Sequence, residues 1–551
     1  MINRRHFVMS SAAWGLAGCA LQHERQLDVA YINLSAWTGD HQNPSTDAIG
    51  LVGNKIAALG RGAVRSHTGA STQIVDLQGA FVTPGFMDNH THFLTGSNRL
   101  IQPDLLSATS RQDFADRLGK AARERPGRWI LGGSWDEQRL GGDLPDKSWI
   151  DAVTPDTPVA VPRTDLHMYL LNSVALKAAG ITRDTPDIAG GVIGRDANGE
   201  PNGILKDNAR SLVRRVFPDT SSAEQDEVMR SGISYALSQG FTQVHSVEQG
   251  WSNFDTARRL REKGETDLRF YCFTATKRWE KLAAIVAAEG KGDDWVRWGG
   301  VKALSDGSLG SRTALFHDPY SDEPGQSGVR TIETPVLKDF ILGADKANLQ
   351  VTTHAIGDLA NDEVLDIYED VARINGPRDR RFRIEHAQHL SSDAIKRFAR
   401  QDIIASVQPY HAIDDGRWAE KRIGQERLKG TYAFHSLFDE GAVVTFGSDW
   451  PVAPLDAIQG LFAAVSRETI DGENPDGWIP DEKVAIEQAL TAYTSNNAFA
   501  GFQDDKLGKI QTGFLADLTI FDRNLLETKP ANILKTKILK TVVNGRERYG
   551  V

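Results

Sequence analysis

Ser222-Ala-Glu-Gln-Asp-Glu-Val-Met-Arg-Ser-Gly-Ile-Ser-Tyr-Ala-Leu-Ser-Gln-Gly-Phe-Thr-Gln-Val-His-Ser-Val247 is the stretch on which the fold turns. Ser222-Ala-Glu-Gln225 has the form of a capping box, in which a hydroxyl and a side chain three residues on satisfy the first free N–H groups of a helix. Val228, Met229, Ile233, Ala236 and Leu237 then recur at helical spacing, and Gly240 stops the helix. The apolar strand 241–247 follows at once. A helix that feeds directly into a buried strand is half of a parallel βα unit. Strands of the same kind recur as Leu268-Arg-Phe-Tyr-Cys-Phe273, Gly300-Val-Lys-Ala-Leu304, Leu349-Gln-Val-Thr-Thr-His354, Phe382-Arg-Ile-Glu-His386, Ile403-Ile-Ala-Ser-Val407 and Ala442-Val-Val-Thr-Phe446. Ala80-Phe-Val-Thr-Pro-Gly-Phe-Met87 stands ahead of them as the first. Eight parallel strands with helices between them close into a (β/α)8 barrel, here expected over 81–502.

Residues 98–220 separate the first two strands and far exceed an ordinary connection of about 2–6 residues, so they are expected to form an inserted subdomain. At the two ends, 27–80 and 503–551, the text changes to short β-type runs such as Lys55-Ile-Ala-Ala-Leu59 and Leu518-Thr-Ile-Phe521, broken by Gly and Asn turns. These are expected to pair into one small β-sandwich. The expected fold class is therefore α/β, a barrel with a large insert and a composite β domain.

Composition narrows the partners. The 551 residues carry 63 Lys plus Arg against 73 Asp plus Glu, a net charge of -10, with no long basic run. Nucleic acid, whose phosphates demand a basic stripe, is excluded as a partner, and a small-molecule substrate is expected. Two cysteines, Cys19 and Cys272, make no disulfide framework, and Cys272 reads as buried filler. Residues 1–18 read as an export signal: Arg4-Arg5 ahead of a short apolar run is twin-arginine-like, and Leu16-Ala-Gly-Cys19 resembles a bacterial lipobox. The expectation is a protein on the periplasmic side of the envelope, touching the membrane only through a lipid on Cys19, with a plain cleaved signal as the alternative. Oligomeric state stays open.

The chemistry gathers at strand ends. Asp88-Asn-His90-Thr-His92 closes the first strand, and alternation along an extended chain puts His90 and His92 on one side, where both reach one ion. Lys302, His354, His386 and Asp449 fall where later strands end, which is where barrels of this type carry their active residues. Neutral imidazoles and carboxylates suit Zn2+ and related divalent ions. Asp306-Gly-Ser308-Leu-Gly-Ser311-Arg312 offers N–H groups, hydroxyls and a guanidinium near the mouth, so Ser308 and Arg312 are candidate substrate contacts. His245, His389 and His411 read as histidines of the core or of the shell around the site.

Several stretches resemble the amidohydrolase superfamily of metal-dependent hydrolases. They include Val82-Thr-Pro84-Gly85-Phe-Met-Asp88-Asn-His90-Thr-His92 and Gly508-Lys-Ile510-Gln-Thr-Gly513-Phe-Leu-Ala516-Asp517-Leu. Trp135-Asp-Glu137, Lys302-Ala-Leu-Ser-Asp306-Gly-Ser308, Thr353-His354-Ala-Ile-Gly357-Asp358, Glu385-His386-Ala and Gly447-Ser-Asp449-Trp450-Pro451 are similar to its YtcJ-like branch, which includes enzymes like N-substituted formamide deformylase. Arg163-Thr-Asp165-Leu-His167 is similar to a family Asp-Gly-His stretch, so the resemblance makes His167, and Trp135 with it, candidate substrate contacts from the insert. The resemblance also implies two divalent ions, Zn foremost with Fe, Mn or Ni as alternatives. His90, His92 and Asp449 would hold one, His354 and His386 the other, and Lys302 would bridge them. An ammonium has no acceptor, so Lys302 would act as a carbamate formed with CO2. A hydroxide between the ions would attack an amide-type, non-peptide C–N bond, with Asp449 as general base and then acid. Two other readings stay open: a one-metal deaminase of an aminated heterocycle on His90, His92, His354 and Asp449, which has no use for Lys302, and a lipid-anchored binding protein without catalysis.

Overall fold

The computed structural model describes residues 26–163, 168–188, 191–310 and 312–551. The export signal with Arg4, Arg5 and Cys19, together with His167 and Ser311, lies outside the described residues.

Eight parallel strands form the barrel: β1 (Phe86–Thr91), β2 (Phe241–Ser246), β3 (Arg269–Ala275), β4 (Val296–Leu304), β5 (Gln350–Ala355), β6 (Arg383–His386), β7 (Ile404–Val407) and β8 (Val444–Phe446), paired in that order. The ring closes beyond the strand ends, where Thr91 bridges Trp450 in parallel and the His92 N–H donates to the Trp450 carbonyl at 2.7 Å. Barrel and helices share one large apolar core that includes Phe93, Val244, Phe270, Val301, Ile384 and Val444.

The helix before β2 spans Ser222–Ser238, and its capping box starts one residue earlier than the sequence suggests. The Ser221 hydroxyl accepts from the Glu224 N–H at 3.2 Å, and the Glu224 carboxylate accepts from the Ser221 N–H at 3.0 Å. A carboxylate is the stronger partner at a helix N-terminus, so the Glu register prevails over the Gln register.

The first strand also differs. The apolar run 80–87 is two strands: Gln73–Pro84 belongs to the terminal sheet, and the barrel strand begins only at Phe86. Continuous burial on both sides hides the break from any reading of hydrophobicity. Gly85 marks it, because a Cβ there would lie 2.4 Å from Thr242 Oγ1 on β2.

Both chain ends build one mixed eight-stranded sheet, in the order Arg546–Gly550, Ile538–Val543, Leu518–Phe521, Gln73–Pro84, Val29–Trp37, Ile49–Val52 and Lys55–Leu59, with Ser45–Thr46 beside Val29–Trp37. Its core holds Leu34, Ile49, Leu51, Val82, Ile510 and Ile520. A buried bidentate ion pair ties it to the barrel floor, with Arg269 Nε 2.7 Å and Nη2 3.0 Å from the Asp517 carboxylate. The stretch between β1 and β2 contains the helix Arg111–Glu124 and a four-stranded antiparallel sheet, ordered Ala160–Pro162, Met168–Leu171, Pro201–Asp207 and Gly191–Arg195, over its own apolar clusters. Among the described residues no helix is long and apolar enough to cross a membrane.

Candidate metal centre

His90 ends β1 wholly buried, and its Nδ1 meets Glu385 Oε2 at 2.5 Å. That contact places the proton on Nδ1 and turns Nε2 inward with its lone pair free. Nε2 then lies 3.4 Å from Asp449 Oδ1 and 3.5 Å from Lys302 Nζ. His92 Nε2 is 3.3 Å from the same carboxylate oxygen. Two atoms each about 2.1 Å from one ion at a tetrahedral angle stand about 3.4 Å apart, so these spacings are those of ligands around a shared cation.

Glu385 is itself held on several sides: Arg383 Nη2 lies 2.7 Å from Oε1, and the Thr352 and Ser406 hydroxyls donate to its two oxygens. Burial would raise this carboxyl, but Arg383 and His90 hold it well below the usual range. Arg383 reaches on to His245 Nδ1 at 3.0 Å and the Asn89 carbonyl at 2.6 Å. His245 is thus a core histidine, as its sequence context suggests.

Asp449 follows β8 at a left-handed φ of 60°, and His386 ends β6 at 77°. Both are unfavourable for residues with a Cβ, and such strain concentrates at functional sites. Asp88 braces this corner by accepting from the N–H groups of His90 and Ser448, each at 3.0 Å. Burial nevertheless pushes its carboxyl up to about 7. Burial would also raise Asp449, but the surrounding His90, His92 and His411 keep it at about 2. Lys302 is buried, which pulls its ammonium down to about 8 despite the Glu385 and Asp449 carboxylates.

His386 and His354 complete the ring of imidazoles, with centroids 4.5 Å apart. His386 Nδ1 faces Gln408 Oε1 at 2.7 Å, which leaves its Nε2 as the ligand atom. His354 Nε2 instead donates to the Gly307 carbonyl at 2.9 Å, leaving Nδ1. Among the described residues, two groups have ligand atoms within 4.8 Å of one another: His90, His92 and Asp449, and His386, His411 and Asp449. Asp449 Oδ1 and His411 Nε2 are buried with no hydrogen-bond partner among the described residues. A buried carboxylate oxygen facing the Nε2 lone pair of His90, with a second imidazole 3.3 Å away, is a donor set that fits a divalent metal.

The candidate substrate contacts fare differently. Trp135 is wholly buried in the core of the insert, its indole N–H on the Val161 carbonyl at 3.0 Å, and presents no surface to a substrate. A residue on an isolated bridge inside a core could not be told from a mouth residue by local pattern. Ser308 is exposed on the loop after β4. Arg312 spends its guanidinium on Asp322, at 3.0 and 2.9 Å. Asp306 organises that loop by accepting from the N–H groups of Leu315, Ile356 and Gly357. The sequence does not show Glu385 as the partner of His90 or Gln408 as the partner of His386, and it places His411 no more closely than the core or the shell around the site. The only signals for them were adjacency to His386 and a place just past β7.

A barrel of eight parallel strands with imidazoles, a lysine and a carboxylate at its C-terminal mouth defines a metal-dependent hydrolase. The model of the amidohydrolase family matches residues 73–549, and the chain belongs to that family. It is 34% identical over 490 residues to YtcJ of Bacillus subtilis, covering 87% of this chain and 90% of that protein. It is 27% identical over 547 residues to N-substituted formamide deformylase of Arthrobacter pascens, covering 95% and 98%. Among solved structures, an uncharacterized metal-dependent hydrolase from Pyrococcus furiosus superposes with a TM-score of 0.76 at 28% identity, over 91% of this chain and all of that one.

Proposed function

We propose that this enzyme hydrolyses an amide-type, non-peptide C–N bond, with N-substituted formamides as the first class to try. The observation that carries the proposal is Asp449 Oδ1, buried without a hydrogen-bond partner between His90 and His92 and beside a buried lysine. The similarity to N-substituted formamide deformylase supports the choice of bond. In this reading His90, His92 and Asp449 would hold one divalent ion and His354 and His386 a second, with Lys302, as a carbamate, a ligand to both. Bound in this way, such ions supply a hydroxide nucleophile at neutral pH and polarise the scissile carbonyl.

The chain's own groups do the rest. Asp449, ionised at neutral pH, takes the proton released on attack and passes it to the departing nitrogen. Glu385, clamped by Arg383, keeps His90 in one tautomer and one orientation. Burial favours the uncharged amine of Lys302, the form that attacks CO2. We also place the enzyme on the periplasmic side, tethered through Cys19, on the strength of Arg4-Arg5 and Leu16-Ala-Gly-Cys19.

Metal content per chain, measured by plasma mass spectrometry on protein purified without chelator and on Lys302→Ala, tests the reading alongside a screen of formamides and small amides. Two ions falling to one or none in the variant is the expected result. A single ion unchanged by the substitution favours the one-metal deaminase, and a metal-free wild type with no amide turnover overturns the hydrolase.

A further inference from the structure

One histidine of this site has no part in the scheme above. His411 lies in the first turn of the short helix Pro409–Asp415, just past β7. Its ring is buried, its Nε2 has no hydrogen-bond partner among the described residues, and that nitrogen stands 3.9 Å from Asp449 Oδ2. The ring lies nearly parallel to that of His386, 6.2 Å away with 15° between the planes.

A separation of 3.9 Å is too long for a hydrogen bond, which needs roughly 2.7–3.2 Å. It does suit two atoms bound to one ion. With bonds of about 2.1 Å each, such atoms can be no more than about 4.2 Å apart. The neighbouring groups agree with this. His386 presents Nε2 because Gln408 occupies its Nδ1, and Gln408 and His411 come from the same turn. Asp449 faces both sides with different oxygens, Oδ1 toward His90 and His92 and Oδ2 toward His411.

We infer that His411 is a metal ligand, and that His386, His411 and Asp449 Oδ2 form a second cation pocket next to the one made by His90, His92 and Asp449 Oδ1. This rests on the metal-dependent reading above and adds a ligand to it, removing none. Two imidazoles and a shared carboxylate select borderline divalent ions such as Zn2+, Co2+ or Ni2+ over Mg2+ or Ca2+. Asp449 would then offer one oxygen to each pocket, alongside the link that Lys302 makes, and His411 governs whether the second ion is held.

Cobalt binding tests this directly. Chelator-stripped wild type, His411→Ala and the bulkier His411→Gln are titrated with Co2+, with stoichiometry read by equilibrium dialysis and coordination by the visible absorption of the bound ion. The metal-free melting temperature checks that each variant is folded. The expected result is two ions in the wild type, and in both variants one ion at wild-type affinity with the second weakened about tenfold or more and its absorption lost. Two ions bound with wild-type affinity and spectrum by the variants would overturn the inference. So would a folded variant that loses both ions together. A wild type that takes up one ion overturns the second pocket and leaves the hydrolase to be decided by the Lys302→Ala metal content and the amide screen, whereas a wild type that binds none removes both.

Discussion

The backbone N–H of Asp449 donates to the carbonyl oxygen of His90 at 2.7 Å. The first and last strands of the barrel therefore meet through two residues of the candidate metal centre, so the contact that closes the barrel also sets those two side chains side by side. His90 cannot shift along its strand without carrying Asp449 with it. This rigidity is what a site made from distant segments requires.

The contact between His90 and Glu385 fixes the imidazole from behind the candidate metal centre. Glu385→Gln keeps the shape but removes the charge that orients His90 and leaves Arg383 buried without its carboxylate partner. Metal affinity is expected to fall about 10–100-fold. Stability is expected to fall by about 3–5 kcal/mol, the usual cost of breaking a buried ion pair from one side. Equilibrium dialysis and a denaturant titration of the metal-free protein measure the two effects separately.

Arg269 and Asp517 join the barrel floor to the terminal sheet, far from the mouth. Asp517→Ala leaves the Arg269 guanidinium buried without its carboxylate partner, with the Asp294 carbonyl and Asn544 Oδ1 as its remaining acceptors. A loss of about 3–5 kcal/mol is expected in the unfolding free energy. The metal content and kcat of the protein that remains folded should match the wild type, and a large fall in kcat at full metal loading would contradict a purely structural role.

Asp322 binds Arg312 first and Arg422 second, and these guanidiniums hold its carboxyl at about 2. A carboxyl depressed in the native state stabilises the fold above its ordinary value of about 3.9, and that contribution disappears as pH falls toward 2. Asp322→Asn is therefore expected to lower the melting temperature at neutral pH, with the difference from wild type shrinking steadily below pH 4. A difference that stays constant across that range would show that the charge is not what matters.

The proposed tether has its own test. Cys19→Ala should abolish partition into a detergent phase while leaving the purified enzyme as active as the wild type. Replacing Arg4 and Arg5 with lysines should leave the protein in the cytoplasm if export runs through the twin-arginine route. Wild-type protein that remains in the aqueous phase would rule out the lipid.

The barrel and the placing of His90, His92, Lys302, His354, His386 and Asp449 at its strand ends could be read directly from the chain, because each rests on a local pattern. A 3.6-residue period, a Gly stop and an apolar run identify a βα unit without reference to the rest of the molecule, and a histidine at a strand end is visible as such. What lay between neighbours in space was hidden. The division of 80–87 into two strands depends on Gly85 passing against Thr242 of the next strand. Trp135 falls in a core because the insert folds around it, and Arg312 is taken up by Asp322. The partners that set each imidazole's tautomer come from other strands: Glu385 for His90 across the barrel and Gln408 for His386 from the next unit. Hydrogen bonds and ion pairs act over about 3–4 Å whatever the distance along the chain. The sequence by itself determined the repeating scaffold and the donors it carries. Only the closed barrel decided which lone pairs face one another, and so where a cation is held.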